Sequence, residues 1–275
     1  MKFKKIIKKV VLYFIAIFIA VLVLMPFFWM ISTSLKSSGA MMSIPIEWIP
    51  KEITFDSYKK ILSIPNFLTS ILNSFYLATT TTVVQIISAS MAAFAFSKIK
   101  FKGREVLFKV YIATMMIPFQ VIFIPLFIIM SSMKLTNNLS ALLLLQFFNA
   151  FAIFMLRQQM MGISDDFIDA ATIDGASQLR IFISIIIPLA RGTIATLAVM
   201  TFMGSWNDYL FPLVMLSDRS KFTLPLILNS LSGQYSSQYN LLMAGSLISM
   251  IPIIILYMFM QKYFKAGLQV GGIKG

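Results

Sequence analysis

Few residues in this chain could do chemistry, and their types exclude most of it. There is no Cys and no His among 275 residues. That removes thiolate chemistry, disulfides and the commonest general bases and metal ligands. No Gly-x-x-x-x-Gly-Lys-Ser/Thr segment is present either, so no stretch reads as a cradle for nucleotide phosphates. No nucleophile–base pair suggests an enzyme. Two acidic features remain. One is the run Ile168-Asp169-Ala170-Ala171-Thr172-Ile173-Asp174-Gly175-Ala176-Ser177, entered through Asp165 and Asp166. The other is Asp208, an acid within an otherwise apolar stretch.

The acidic run reads as a helix, a glycine break and a second helix. Ser164 is placed to cap the first helix, and Asp165 and Asp166 then fall where carboxylates suit the positive helix end. Asp166, Asp169 and Ile173 share a face by their spacing. Gly175 ends the helix, because the left-handed conformation costs glycine nothing. Ser177 caps the second helix, whose Leu179, Phe182 and Ile186 form an apolar stripe, and Pro188 marks entry to the next apolar span. The small residues Ala170, Ala171, Gly175 and Ala176 let another backbone approach closely. An amphipathic helix lying in the headgroups is the bland alternative, but its carboxylates would be repelled by an anionic leaflet. A docking element for a cytoplasmic partner fits better.

The elements that carry these residues are membrane spans. Hydrophobic residues make up 59% of the chain, charged residues 12%, and mean hydropathy is +0.86. A soluble domain of this size could not bury that much apolar surface. Crossing about 30 Å of hydrocarbon takes about 20 apolar residues in a helix. Six candidate spans result: 10–32, 69–96, 106–131, 138–160, 188–216 and 240–261, with the acidic segment at 164–187. The expectation is an all-α integral membrane protein forming a single transmembrane domain over 1–275. The run from Val10 exceeds a signal-peptide core and reads as a retained span.

Charge sets the orientation. Lys2, Lys4, Lys5, Lys8 and Lys9 precede the first span. Lys98, Lys100, Lys102, Arg104 and Lys109, then Arg157, Arg180 and Arg191, then Lys262, Lys265 and Lys274 fall on the same side. The positive-inside rule therefore puts both termini and the acidic segment in the cytoplasm. The net charge of +13 is accounted for by this bias and does not point to nucleic acid. On the outside, residues 33–68 with Pro45, Trp48, Pro50 and Pro65 read as an irregular excursion. Residues 132–137 read as a tight turn. Residues 217–239, rich in Ser, Gln and Tyr, read as a surface for an external partner.

Asp208, with Trp206 and Asn207, falls in the outer half of the fifth span. Two readings stand: the wall of a solute path, or an interfacial acid beside aromatic-belt residues. Gln146 and Asn149 on the fourth span, and Asn73 with Thr80 on the second, have the spacing of polar pairs on one helix face. They suit the polar groups of a solute and equally suit hydrogen bonding between helices.

Asp169-Ala170-Ala171-x-x-Asp174-Gly175-Ala176, followed by Phe182 and Pro188, resembles the cytoplasmic loop of ABC importer permeases. The likeness is greatest to the carbohydrate-type, maltose-like inner-membrane subunit with a short tail. Pro26-Phe27-Phe28-Trp29-Met30, Ser34-Leu35-Lys36, Trp206-Asn207-Asp208 with Pro212, Met243-Ala244-Gly245 with Pro252, and the tail Gly267 to Gly275 are similar to the same group. That family usually has Glu at the position of Asp169 and often Pro at that of Ser164, so the acid here reaches one methylene less far.

The resemblance implies a transport subunit rather than an enzyme, in a prokaryotic cell membrane. Its partners would be a homologous second permease, an ATP-binding cassette ATPase dimer holding ATP and Mg, and an extracytoplasmic solute-binding protein. The substrate would be a sugar or oligosaccharide. No cofactor is expected on this chain. Segment 164–187 would seat in an ATPase groove and rock the spans between inward- and outward-open states. Two other classes are weighed. A secondary transporter needs ion-coordinating or titratable groups near midplane, and the sequence offers one off-centre Asp and no His. A membrane scaffold would leave the outer loops at 33–68 and 217–239 without a use.

Overall fold

Lys2–Ser34 (α1) continues as one helix of 33 residues because nothing in it stops a helix. Pro26 lies inside it, a placement that membrane helices accommodate. Every side chain from Ile6 to Phe28 is exposed, a surface that only hydrocarbon or another apolar chain can cover. A computed structural model describes residues 2–37, 47–144, 146–234 and 238–270. Pro45 and the tail residues Gly271 to Gly275, Lys274 among them, lie outside the described residues.

Among the described residues the remaining helices are Asp56–Ser63 (α2), Phe67–Lys98 (α3), Arg104–Ala113 (α4), Phe119–Ser132 (α5), Leu139–Leu144 (α6) and Ala150–Met161 (α7). They continue with Asp166–Ile173 (α8), Gln178–Ile181 (α9), Ile187–Leu189 (α10), Arg191–Trp206 (α11), Leu210–Met215 (α12), Leu224–Gln234 (α13) and Tyr239–Val270 (α14). The described fold is thus all-α. Its contacts group into two units, 1–67 with 228–251 and 68–227 with 252–275.

Three expected spans, 10–32, 69–96 and 240–261, fall within single helices long and apolar enough to cross a bilayer. The other three are interrupted, each for a local reason. Span 106–131 breaks at Ile117-Pro118 with a bend of 95°. Ile117 is extended (φ −82°, ψ 115°), as steric conflict with the following proline ring requires. Span 138–160 divides into α6 and α7. Asn149 is also extended, and its side chain accepts from Ala152 N at 3.1 Å, capping a new helix. Span 188–216 starts late, after a 78° bend at Ala190, and breaks again at Asn207 to Tyr209. Segment 217–239, expected to be an outside loop, contains α13.

In the first unit the exit of α1 is held by hydrogen bonds to the loop beyond it and to α2. Ser32 Oγ donates to the Trp48 carbonyl at 2.6 Å, and the Ser34 and Tyr58 hydroxyls meet at 2.9 Å. Gly245 sits where a Cβ would come within 2.7 Å of the Leu228 side chain and 3.3 Å of that of Ile61, so a larger residue would make both side chains shift.

The second unit has a core of Ala89, Ala93, Phe94, Leu156, Met160, Ile181 and Ile186 beneath α8 and α9. At its edge Arg157, 5% exposed, donates to the Phe96 carbonyl at 3.0 Å and to Glu105 Oε1 at 2.6 Å. Its guanidinium lies 3.9 Å from the Phe108 ring centroid. Arg157→Met should lower the stability of the detergent-solubilised protein by about 2 kcal/mol, since it leaves the Phe96 carbonyl without its donor and the half-exposed Glu105 carboxylate with Arg104 alone. Glu105→Gln, which keeps an acceptor, should cost less. Thermal unfolding midpoints check the order.

Candidate functional site

The acidic segment folds as a two-sided element. Asp165 rather than Ser164 occupies the cap position of α8, yet Ser164 Oγ still accepts from Asp166 N at 3.3 Å and donates to Asp166 Oδ2. Gly175 has φ +77°. Its N–H reaches the Thr172 carbonyl at 3.0 Å, and Ala176 N reaches the Ala171 carbonyl at 2.9 Å. That pair of bonds is the glycine C-cap expected of a helix ended by a left-handed residue. Ser177 then caps α9, accepting from Arg180 N.

One side of the segment is packed. Ile168, Ala171, Ala176 and Phe182 lie half-buried on the core, with the Phe182 ring 5.2 Å from that of Phe94. The other side is open: Asp169, Ala170, Asp174, Gly175 and Pro188 are exposed. Four large apolar side chains are exposed alongside them: Phe167, Ile173 (87%), Leu179 and Ile183. The expected stripe Leu179, Phe182, Ile186 is therefore wrong at Leu179. The backbone widens to a π-helix at Phe182–Ile186, which shifts the register so that Ile181 and Ile186 carry the buried face.

Sequence reasoning missed how this element is tethered. Lys98, at the end of α3 and with its side chain 4% exposed, donates to the Ile163 carbonyl at 2.6 Å and to Asp165 Oδ1 at 2.5 Å. The Lys98 ammonium holds the Asp165 carboxyl below the ordinary carboxylate value, with smaller help from Lys100 and Arg104.

A second feature is a cavity of about 510 Å³ that gathers the helix breaks. Gln146, Asn149 and Asp208 line it, with Gln85, Thr81 and Thr201. Gln146 Nε2 lies 3.4 Å from Asp208 Oδ2, and Phe211 N donates to Asp208 Oδ1. Gln85 donates to the Gln146 carbonyl at 3.3 Å and accepts from Thr201 Oγ1, while Ser88 Oγ donates to the Phe147 carbonyl at 2.9 Å. Thr81 Oγ1 is buried without a partner. Phe119 and Phe211, packed edge to face at 4.9 Å, supply aromatic wall.

The other sequence candidates are placed elsewhere. Trp206 is 1% exposed and stacked on Phe202 at 5.7 Å. Asn207 donates to the Met203 carbonyl of its own helix. Asn73 donates to the Ser220 and Phe222 carbonyls, each at 3.0 Å, and so ties α3 to the turn before α13. Gln85 gave no sequence signal, because a lone polar residue in a span has no pattern, and Thr81 was hidden in the run Thr79 to Thr82, from which spacing picked out Thr80.

These features define a multi-pass, all-α membrane protein with broken spans around a mainly apolar cavity that holds a few polar side chains. Residues 85–270 match the family described as binding-protein-dependent transport system inner membrane component, and the chain belongs to it. It is a transmembrane permease subunit of such a system, a family whose members are transport subunits rather than catalysts. The arabinooligosaccharides transport system permease protein AraQ of Halalkalibacterium halodurans is 35% identical over 94% of both chains. The lactose transport system permease protein LacG of Rhizobium radiobacter is 30% identical, over 93% of this chain and 92% of its own. A solved chain from a bacterial ABC transporter that imports the acidic polysaccharide alginate superposes with a TM-score of 0.83 at 29% identity, covering 94% of this chain and 97% of that one.

The Lys98–Asp165 tether should be pH-dependent in one direction. A carboxyl whose value is lowered by folding stabilises above its unfolded value of 3.8 and loses that contribution as pH falls through the lower folded value. A spin label on exposed Ile173 should therefore gain mobility only in strongly acidic buffer. Lys98→Met should raise its mobility at neutral pH and abolish the acid transition.

Proposed function

We propose that this chain is one of two permeases of an ATP-driven importer for sugars or oligosaccharides, worked from the cytoplasm through segment 164–187. The observation that carries the reading is the two-sided segment: one face is fixed to the core, and the other presents Asp169, Asp174 and four apolar side chains to solvent. An exposed apolar patch rimmed by charge is a docking surface. The partner that fits is an ATP-binding cassette ATPase pair, which would hold ATP and Mg and hydrolyse it. Asp169 would face a basic group there, and closure of the pair would shift this rigid element and the helices tethered to it. Basic residues flanking the spans support cytoplasmic termini, and an external solute-binding protein would deliver substrate from the opposite side.

The sugar class rests on relatives whose names specify arabinooligosaccharides and lactose. The cavity suits it, with amide, hydroxyl and carboxylate groups for sugar hydroxyls and phenylalanine faces for sugar rings. Gln146, Asn149 and Asp208 are the residues proposed for the path. Asn73, Asn207 and Trp206, spent on structural contacts, are not.

Gly175→Asp should leave the chain inserted but reduce ATPase co-purification and ATP-dependent uptake at least about tenfold, because it puts a charge at the docking turn. Gly175→Asn is the control: Asn tolerates φ > 0 and adds no charge, so it should retain most of both. Ala171→Leu, at the packed edge, should act in the same direction as Gly175→Asp but less. Normal co-purification and uptake in Gly175→Asp would sink the docking role.

A further inference from the structure

Three basic residues of the outer segments, Lys36, Lys59 and Lys60, gather around one cavity of about 350 Å³ in the first unit. Ser37, Asp56, Ser57, Gln238 and Asn240 complete its polar lining. Lys36 is the informative member. It is 2% exposed, its ammonium lies 4.3 Å from the Trp29 ring centroid, and it donates to the Glu47 carbonyl. The Glu47 carboxylate is occupied with Lys51 at 2.6 Å. Among the described residues no carboxylate comes within ion-pair distance of Lys36, Lys59 or Lys60. A buried cation with only a carbonyl and an indole face is under-compensated, and removing such a charge from water is costly without a counter-ion.

A second observation points to an occupant. Ser57 is 2% exposed, and its Oγ is buried with no hydrogen-bond partner. A hydroxyl donor, two exposed ammonium groups and a buried one form a seat for an oxyanion. The single acid on the rim, Asp56, leaves the lining at a surplus of positive charge. Asn240 Nδ2 fixes the Lys36 carbonyl at 3.1 Å and so ties the start of α14 to the exit of α1. An anion bound here would touch both segments.

We infer that this cavity receives a carboxylate side chain of the extracytoplasmic solute-binding protein, making it an electrostatic docking point on the outer face. The inference rests on the importer reading and on the orientation proposed with it. A protein carboxylate is favoured over a lipid headgroup because the seat is built from the loop after α1, from α2 and from the first residues of α14. Of its lining, only Asn240 and Leu241 fall within a span, at the very start of Tyr239–Gln261.

The test uses the whole complex in phosphatidylcholine nanodiscs, with ATPase activity followed as its solute-binding protein is titrated in. Lys59→Glu with Lys60→Glu should raise the binding-protein concentration for half-maximal stimulation about tenfold at low salt, leave the plateau rate unchanged, and lose most of that effect at about 0.5 M salt. Arg at both positions should restore the wild-type curve. Because both lysines are exposed, folding is not at risk. An unchanged half-saturation point in the Glu variant overturns the inference while leaving the importer reading standing. A shift seen only in discs containing phosphatidylglycerol overturns it in favour of a lipid headgroup. A wild-type complex that no binding protein stimulates sinks both.

Discussion

A backbone that leaves helical geometry inside hydrocarbon must find new partners for its amides and carbonyls, because no water is there to take them. This constraint organises the second unit. The break between α6 and α7 frees carbonyls at Gln146 and Phe147, and α3 answers with Gln85 and Ser88. The break after α11 frees amides that Asp208 collects through Phe211 N. Both breaks open onto the same cavity. Irregular backbone at membrane depth is tolerated where it is buried in protein or lines a wet cavity, so the breaks and the cavity explain each other. Polar residues in the spans then have two duties at one place, holding the chain and facing whatever fills the space.

That double duty explains why the sequence told so much about architecture and so little about the path. Apolar run length and the distribution of Lys and Arg are summed signals, and they located the apolar stretches of α1, α3 and α14, although α1 begins earlier, at Lys2, and α14 ends later, at Val270. The turn at Gly175 was legible because its left-handed conformation and the Ser177 cap are local chemistry. Asn149 shows the opposite case. Its spacing from Gln146 suggested one face of one helix, whereas Gln146 lies in the turn after α6, the Asn149 side chain starts α7, and both line the cavity. Trp206 and Asn207 looked like companions of Asp208 because they adjoin it in sequence. At a helix end three successive residues point three ways, and only Asp208 enters the cavity lining. The π-helix at Phe182–Ile186 left no mark either, since one extra residue per turn changes register without changing composition.

The tethers missed in the sequence matter for any transmission of force. Lys98 and Arg157 both reach backbone carbonyls as well as carboxylates: Ile163 with Asp165, and Phe96 with Glu105. A bond to a main-chain carbonyl fixes a position, whereas a surface ion pair alone contributes little and is easily traded for water. The start of the acidic segment is thereby fastened to the end of α3, a helix of 32 residues. Phe182 on Phe94 fastens the other end of the segment to that same helix. In the proposed docking, a load on the exposed face of α8 would reach α3 through these two contacts. The same helix contributes Thr81, Gln85 and Ser88 to the cavity and its bracing. One rigid element thus joins the proposed docking face to the proposed path, and the shorter reach of Asp169 is a matter of fit at the far side of that joint, not of transmission through it.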